Sequence, residues 1–483
     1  MEPAFLSATQ LAKQLRDRKL GARELLEHFL KRIARYNPRL NAVIGLDVER
    51  ARRRANLADK LLMKGGELGP LHGVPMTVKE SFDLEGLPTT WGDPSQVGNV
   101  AKTDSLAVKR FRAAGAVVFG KTNVPLMLAD WQSFNAVYGS TNNPWDLTRS
   151  PGGSSGGSAA ALAAGLTGFE AGSDIGASIR NPAHYCGVYG LKPTWGICPP
   201  TGHALGGRVA MGDISAIGPL GRSAKDLELG LDIMAGPDEI EGAGWVLALP
   251  PPRHKRAGEY RIAVMLEDRN AEVDRPVQDA IRKVAEHFAR EGAKVSFTAR
   301  PAIDTDMAQK VYIALLRAAT SGRQSDAELR ASIEAERQLA GGDESYRARM
   351  VRANVMRHRD WLAFNETRHR MRLAWAAFFR EWDAVLMPAA SSAAVPHDQK
   401  GERWQRQITV NNKRVPTTDQ LFWAGYPGMA LLPGAVAPVG LSPEGLPIGV
   451  QIVCAQYHDR TAIHLARLIE RDYQGFVPPP GYD

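Results

Sequence analysis

Apolar residues recur at helical spacing through the start of the chain. Leu11 and Leu15, then Leu25, Leu26, Phe29, Leu30 and Ile33, predict helices over 7–20 and 22–36, with Gly21 between them and Pro38 ending the second. A third helix is predicted over 50–64, closed by Gly65 and Gly66. The period then changes. Residues 74–78 form a short apolar run expected to be a buried strand, 105–114 a helix capped by Asp104 and stopped by Gly115, and 116–119 another strand. From Asn142 to Gly202 the chain is rich in Gly, Ser and Pro, interrupted by a small-residue helix predicted over 158–166. A strand over 260–265, a helix over 276–289 and a strand over 294–297 restart the alternation, and a charged helical segment over 306–382 follows. Residues 384–387 and 449–453 read as late buried strands. No repeat, low-complexity tract or convincing linker interrupts this order, and Pro250 to Pro252 reads as a surface connection. The expectation is one α/β domain over 1–483, with N-terminal helices in 1–66 and a helical insertion at 303–382.

Composition narrows the function classes. Of 483 residues 44% are hydrophobic, 23% charged and 7% aromatic, which excludes wholesale disorder and leaves room for a large core. Sixty Lys+Arg against fifty-two Asp+Glu give a net charge of +8, modest for this length. The most crowded basic stretch, 347–372, interleaves its arginines with Trp361, Leu362, Phe364 and Met371 in an amphipathic manner continued by Leu373, Trp375 and Phe378. It reads as a solvated helix face, so no nucleic acid or membrane partner is expected. Cys186, Cys198 and Cys454 are too few and scattered for a disulfide framework, and no C-x-x-C occurs, which suits a reducing compartment. Residues 1–13 lack a signal-peptide pattern, and the longest apolar tract, 159–168, falls short of the ~20 residues a membrane helix needs. The expected location is the cytoplasm.

Chemistry concentrates in two Gly/Ser segments. Gly152-Gly153-Ser154-Ser155-Gly156-Gly157 allows unusual backbone angles and close approach, and Gly172-Ser173-Asp174-Ile175-Gly176-Ala177-Ser178 places a serine behind small residues whose N–H groups could converge on a developing oxyanion. A serine hydroxyl needs a base to take its proton. Only His184 of the eleven histidines lies near, in a segment that turns away after Pro182. The alternative is a lysine made neutral by burial, and Lys79, at the end of the predicted strand Val74-Pro75-Met76-Thr77-Val78, fits that demand.

Taken in order, Gly73-Val74-Pro75 leading to Lys79, Gly120-Lys121-Thr122-Asn123-Val124-Pro125, the two Gly/Ser segments through Arg180, and Gly190-Leu191-Lys192-Pro193-Thr194 resemble the amidase signature family. Gly425-Tyr426-Pro427-Gly428 and Gly445-Leu446-Pro447-Ile448-Gly449-Val450-Gln451 resemble its C-terminal part, so the resemblance spans nearly the whole chain. It implies a single large domain around a mixed central sheet flanked by helices. It also implies a Ser-cisSer-Lys triad: Ser178 attacks the acyl carbon, Ser154 relays the proton through an unusual cis peptide, and Lys79 is the terminal base. The N–H groups of Ile175, Gly176, Ala177 and Ser178 would form the oxyanion hole, and Leu128 would line the acyl site. Members often carry a second glycine where this chain has Ala177, whose methyl demands a negative φ or a small cost. Ser155 and Ser158 are expected to cap the following helix, Asp174 to orient loop amides, and Arg180 to pair with a carboxylate inside the fold.

The implied reaction is hydrolysis of a small-molecule amide, aryl amide, ester or carbamate (a urethanase activity) through a seryl acyl-enzyme, with no cofactor and no metal. The insertion 303–382 is expected to shape the substrate pocket, with Trp361, Phe364, Trp375, Phe378 and Phe379 in the core rather than on the pocket wall. Homo-oligomerisation is left open. The rival reading from the same family is the glutaminase-type A subunit of a tRNA-dependent amidotransferase. Two other motifs lead nowhere. Gly152 to Gly156 satisfies G-x-S-x-G, but a polar, proline-broken loop precedes it instead of a buried strand, and no Gly-Lys-Ser/Thr follows to hold a phosphate.

Overall fold

Strands buried on both faces build the centre of the molecule. A computed structural model describes residues 2–483. In its central eight-stranded sheet the strands run, edge to edge, Lys294–Ser296, Arg261–Val264, Ala384–Pro388, Pro447–Val453, Gly434–Leu441, Tyr189–Lys192, Ala216–Gly221 and Glu170–Asp174. The first three pair in parallel and every later neighbour pairs antiparallel, so the sheet is mixed. A separate three-stranded sheet has Val117–Thr122 at its middle, antiparallel to Val43–Leu46 and parallel to Pro75–Lys79. Helices flank both sheets, and one continuous apolar core runs through the molecule, a single α/β domain.

The small sheet is joined to the edge of the large one by polar contacts. Thr77 N–H donates to Thr167 Oγ1 (2.9 Å), Gly168 N–H donates to Pro75 C=O (3.1 Å), and the Thr77 hydroxyl donates to the buried Glu170 carboxyl group. These contacts fix the first half of Pro75–Lys79 against the start of Glu170–Asp174. The Thr77 N–H and the Pro75 carbonyl thereby find partners at the seam.

Several helix ends follow their capping residues. Ser7 and Gln10 form a capping box on Ala8–Arg16, Asp47 caps Val48–Lys64, and Gly65 ends that helix in a left-handed conformation. Others depart from expectation. Pro38 lies inside Ala22–Leu40, which ends only at the left-handed Asn41, because a proline near the last turn removes just one hydrogen bond. The cap of Leu106–Ala113 is Ser105, whose Oγ accepts from Val108 N–H; Asp104 instead pairs with Arg112. The Gly/Ser-rich middle contains two strands of the central sheet and the helix Arg180–Cys186.

The insertion folds as four helices, Thr305–Ser321, Asp326–Arg337, Tyr346–Asn354 and His358–Glu381. In the last, Trp375 and Phe379 are buried and stacked, and Trp361, Phe364 and Phe378 pack against the core. Its Arg368 is buried against Asp213 (2.6 Å), while most of its other arginines face solvent. Among the described residues no helix is long and apolar enough to cross a membrane.

Candidate active site

Three elements deliver the candidate residues to one place. Lys79 is the last residue of Pro75–Lys79, Ser154 lies in the loop before the helix Gly156–Ala163, and Ser178 lies between Glu170–Asp174 and Arg180–Cys186. The Ser154 loop comes close to its neighbours: a Cβ at Gly153 would collide with the carbonyl of Asp130. The Gly153–Ser154 peptide bond is cis. Ser155 N–H donates to Ser178 C=O (3.1 Å), tying the two serine loops backbone to backbone.

Lys79 is fully buried, and its Nζ lies 2.6 Å from Ser154 Oγ and 2.9 Å from Ser173 Oγ. Burial drives the ammonium down to about 7, against the opposing pull of the Asp174 and Glu80 carboxylates. An amine with that value is substantially neutral near pH 7 and able to accept a proton. Ser154, Ser173 and Ser178 line a cavity of about 1070 Å³ together with Ile175, Gly176 and Leu128.

The backbone around Ser178 is held peptide by peptide. The Ile175 carbonyl accepts from Tyr312 OH (3.3 Å), that of Gly176 from Trp131 Nε1 (2.6 Å), and that of Ala177 from Asn181 N–H (2.7 Å). Because N–H and C=O of a trans peptide point in opposite directions, these contacts set where the N–H groups of Gly176, Ala177 and Ser178 aim. The Ala177 N–H aims at Asp174 Oδ1 (2.9 Å). This corrects its expected place among the oxyanion donors: a buried carboxylate already accepts from it, leaving Ile175, Gly176 and Ser178. Ala177 has φ +69°, so the small-cost alternative applies and its Cβ is accommodated in the left-handed region. Leu128, at φ 58°, sits in a short turn where Met127 is also left-handed.

Asp174 also accepts from the N–H groups of Ile179 and Arg180, and pairs with the Arg180 guanidinium at 2.8 Å, fully buried. Burial alone would raise this carboxyl group; Arg180, Lys192 and the backbone donor of Ile179 hold it at about 2. Ser155 and Ser158 are not side-chain caps. Ser155 Oγ meets the Ser173 backbone (3.4 Å), and Ser158 Oγ bonds to Thr122 Oγ1 (2.8 Å), because both positions face buried polar groups across the seam. His184 is buried away from the cavity, on Gly449 and Ser392 backbone.

Sequence reasoning missed Ser173, Trp131, Tyr312 and His203. Ser173 stands in the quoted Gly172-Ser173-Asp174 motif, so a signal for it existed; the other three reach the site from distant positions. His203 lines the cavity, 2.8 Å from Ser81 Oγ, and burial, with Lys79 close by, pushes it down to about 3. It is neutral at any working pH.

Similarity to known proteins extends over the same framework. The family model described as Amidase matches residues 24–463. An indoleacetamide hydrolase of Bradyrhizobium diazoefficiens is 35% identical over 96% of this chain and 86% of its own, and an acylamidase of Rhodococcus erythropolis is 32% identical over 96% and 95%. The A subunit of the glutamyl-tRNA(Gln) amidotransferase of Bdellovibrio bacteriovorus is 28% identical over 97% of each chain. A solved structure of a vestigial complex bearing on the origins of an s-triazine catabolic enzyme superposes with a TM-score of 0.82 at 27% identity, covering 98% of this chain and 100% of its own. With its mixed sheet, its ordered motifs and a family match along most of its length, the chain belongs to the amidase signature family and is an amidohydrolase.

Proposed function

We propose that the chain hydrolyses small-molecule amides through an acyl-enzyme on Ser178, with Ser154 as proton relay and Lys79 as base. The observation that carries this reading is the buried Lys79 amine, titrating at about 7, within 2.6 Å of the Ser154 hydroxyl in a cavity that Ser178 also lines.

Neutral Lys79 accepts the Ser154 proton as Ser154 accepts that of Ser178, and the Ser178 oxygen bonds to the acyl carbon. The carbonyl pair moves onto oxygen, which the N–H groups of Ile175, Gly176 and Ser178 receive. The C–N bond then breaks, the proton passes back from Lys79 through Ser154 to the leaving nitrogen, and the amine departs. Water repeats the path: its proton goes by Ser154 to Lys79, its oxygen attacks the ester, and Ser178 regains a proton as acid is released. Esters and carbamates enter the same cycle, since each presents an acyl carbon and a leaving group that one proton completes.

The test is mass spectrometry after treatment with an aryl phosphonofluoridate, alongside turnover of a panel of amides, esters and carbamates by the purified chain. A single adduct on Ser178, with acid released from at least one amide, is expected. An adduct on Ser154 or none on Ser178 overturns the assignment. Turnover only with glutamine and partner proteins selects the amidotransferase-subunit reading instead.

A further inference from the structure

The cavity around the serines is lined by arginines that, among the described residues, have no ion-pair partner. Four carboxylates line it, and each is accounted for: Asp130 pairs with Arg406 (2.6 Å), Asp213 with Arg368 (2.6 Å), Asp93 accepts from Ser95 N–H, and Glu328 accepts from Ser325 N–H and Oγ at the start of its helix. Four arginines also line it, Arg208, Arg317, Arg323 and Arg403, and among the described residues none has a carboxylate within 4 Å. Arg317 and Arg403 both donate to Tyr346 OH (2.9 and 3.4 Å), and Arg403 also donates to Ala129 C=O.

Arg208 and Arg323 are different. Arg323 lies over the Trp91 ring at 4.7 Å and gives one N–H to Met127 C=O (3.0 Å), which leaves most of its five donors unused. Arg208 donates to the Gly322 carbonyl, one residue before Arg323, which brings its charge within electrostatic reach of Arg323 at the cavity wall. Burial and this neighbour depress Arg323 to about 10. Two guanidinium groups that feel each other's charge without an acid between them, one of them over an indole ring, offer the donors that carboxylates match in bidentate fashion.

Resting on the acyl-enzyme reading above, we propose that the cavity takes amides whose non-reacting end carries a carboxylate, held between the guanidinium groups of Arg208 and Arg323. The carboxylate sits on the part of the substrate that does not react, so the pair selects and orients substrate without giving or taking a proton in the bond-making steps.

Matched substrate pairs test this: succinyl- against butyryl-p-nitroanilide for charge on the acyl side, and acetylated 4-aminobenzoate against acetanilide for charge on the amine side. In at least one pair the anionic member is expected to have a kcat/KM about tenfold higher at low ionic strength, a preference that shrinks as salt is added. Arg208→Gln and Arg323→Gln should each lower the anionic-to-neutral ratio of that pair roughly five- to tenfold, with Arg208→Lys keeping part of it. Adduct stoichiometry on Ser178 in each variant shows that the site is folded. Ratios at or below one in both pairs, or a ratio that neither Gln variant changes, overturn the inference while the Ser178 adduct leaves the acyl-enzyme reading standing. Loss of that adduct in the unaltered chain overturns the reading itself.

Discussion

In the proposed cycle a buried amine beside two hydroxyls sets the pH behaviour of the reaction. Lys79 must be neutral to accept a proton, and its value of about 7 stands far below the ordinary 10.5. We therefore expect kcat/KM for a neutral amide to rise with pH and reach half its plateau near 7. Ser173 Oγ accepts a hydrogen bond from Nζ, an interaction that favours the ammonium, so Ser173→Ala should move this inflection to lower pH. His203→Asn should leave it in place, because His203 carries no proton to lose in this range. A rate–pH series on the three proteins checks all of this, and an inflection that follows His203 would reject Lys79 as the base. Ser178→Ala should lower kcat by at least about a thousandfold with circular dichroism unchanged.

Elements far apart in the chain meet behind the Ser178 loop. Tyr312, on the first helix of the insertion, holds the Ile175 carbonyl, and its ring lies flat on Gly425, where any Cβ would penetrate it. Tyr312→Phe should lower kcat several-fold with little change in KM, since it frees one peptide that aims a proposed oxyanion donor. Gly425→Ala should cost about 1–3 kcal/mol in urea denaturation, because neither the ring nor the backbone has room to yield. Helices such as Ala8–Arg16, Ala22–Leu40, Val48–Lys64 and Arg275–Arg290 were readable from apolar spacing, whereas Ala224–Met234 and Asp459–Asp472 were not, and ordered motifs singled out Lys79, Ser154 and Ser178 as candidates. Glu170–Asp174, Tyr189–Lys192 and Ala216–Gly221 were not readable, as strands buried on both faces show no alternation and these are rich in small residues. Tyr312 and Trp131 escaped for another reason: each acts on a backbone carbonyl more than forty positions away, and a single sequence holds no trace of such a contact.

Across the whole molecule, Arg180 binds the parts together. Besides Asp174, its guanidinium donates to Ala424 C=O (3.1 Å) and Gln451 Oε1 (2.6 Å), so one buried cation joins the Ser178 loop to two C-terminal segments. Asp174→Asn leaves that cation without its counter-charge and should cost about 3–5 kcal/mol of stability at pH 7. The Asp174 carboxyl group is held at about 2 against an ordinary 3.8, so its contribution is present above pH 4 and disappears as the pH falls through 2. The gap between variant and unaltered chain in urea midpoint should narrow accordingly as the solution is acidified below 4.

Lys79 ends a strand of the small sheet and Ser178 follows an edge strand of the large one, so contacts across the seam between those sheets help keep them in register. Gentle warming that lets one half slip by an ångström would silence turnover while leaving the spectroscopic signature of the native state untouched. Residual activity should thus decay several degrees before the ellipticity does, making the catalyst a more sensitive thermometer of its own architecture than any probe of the core.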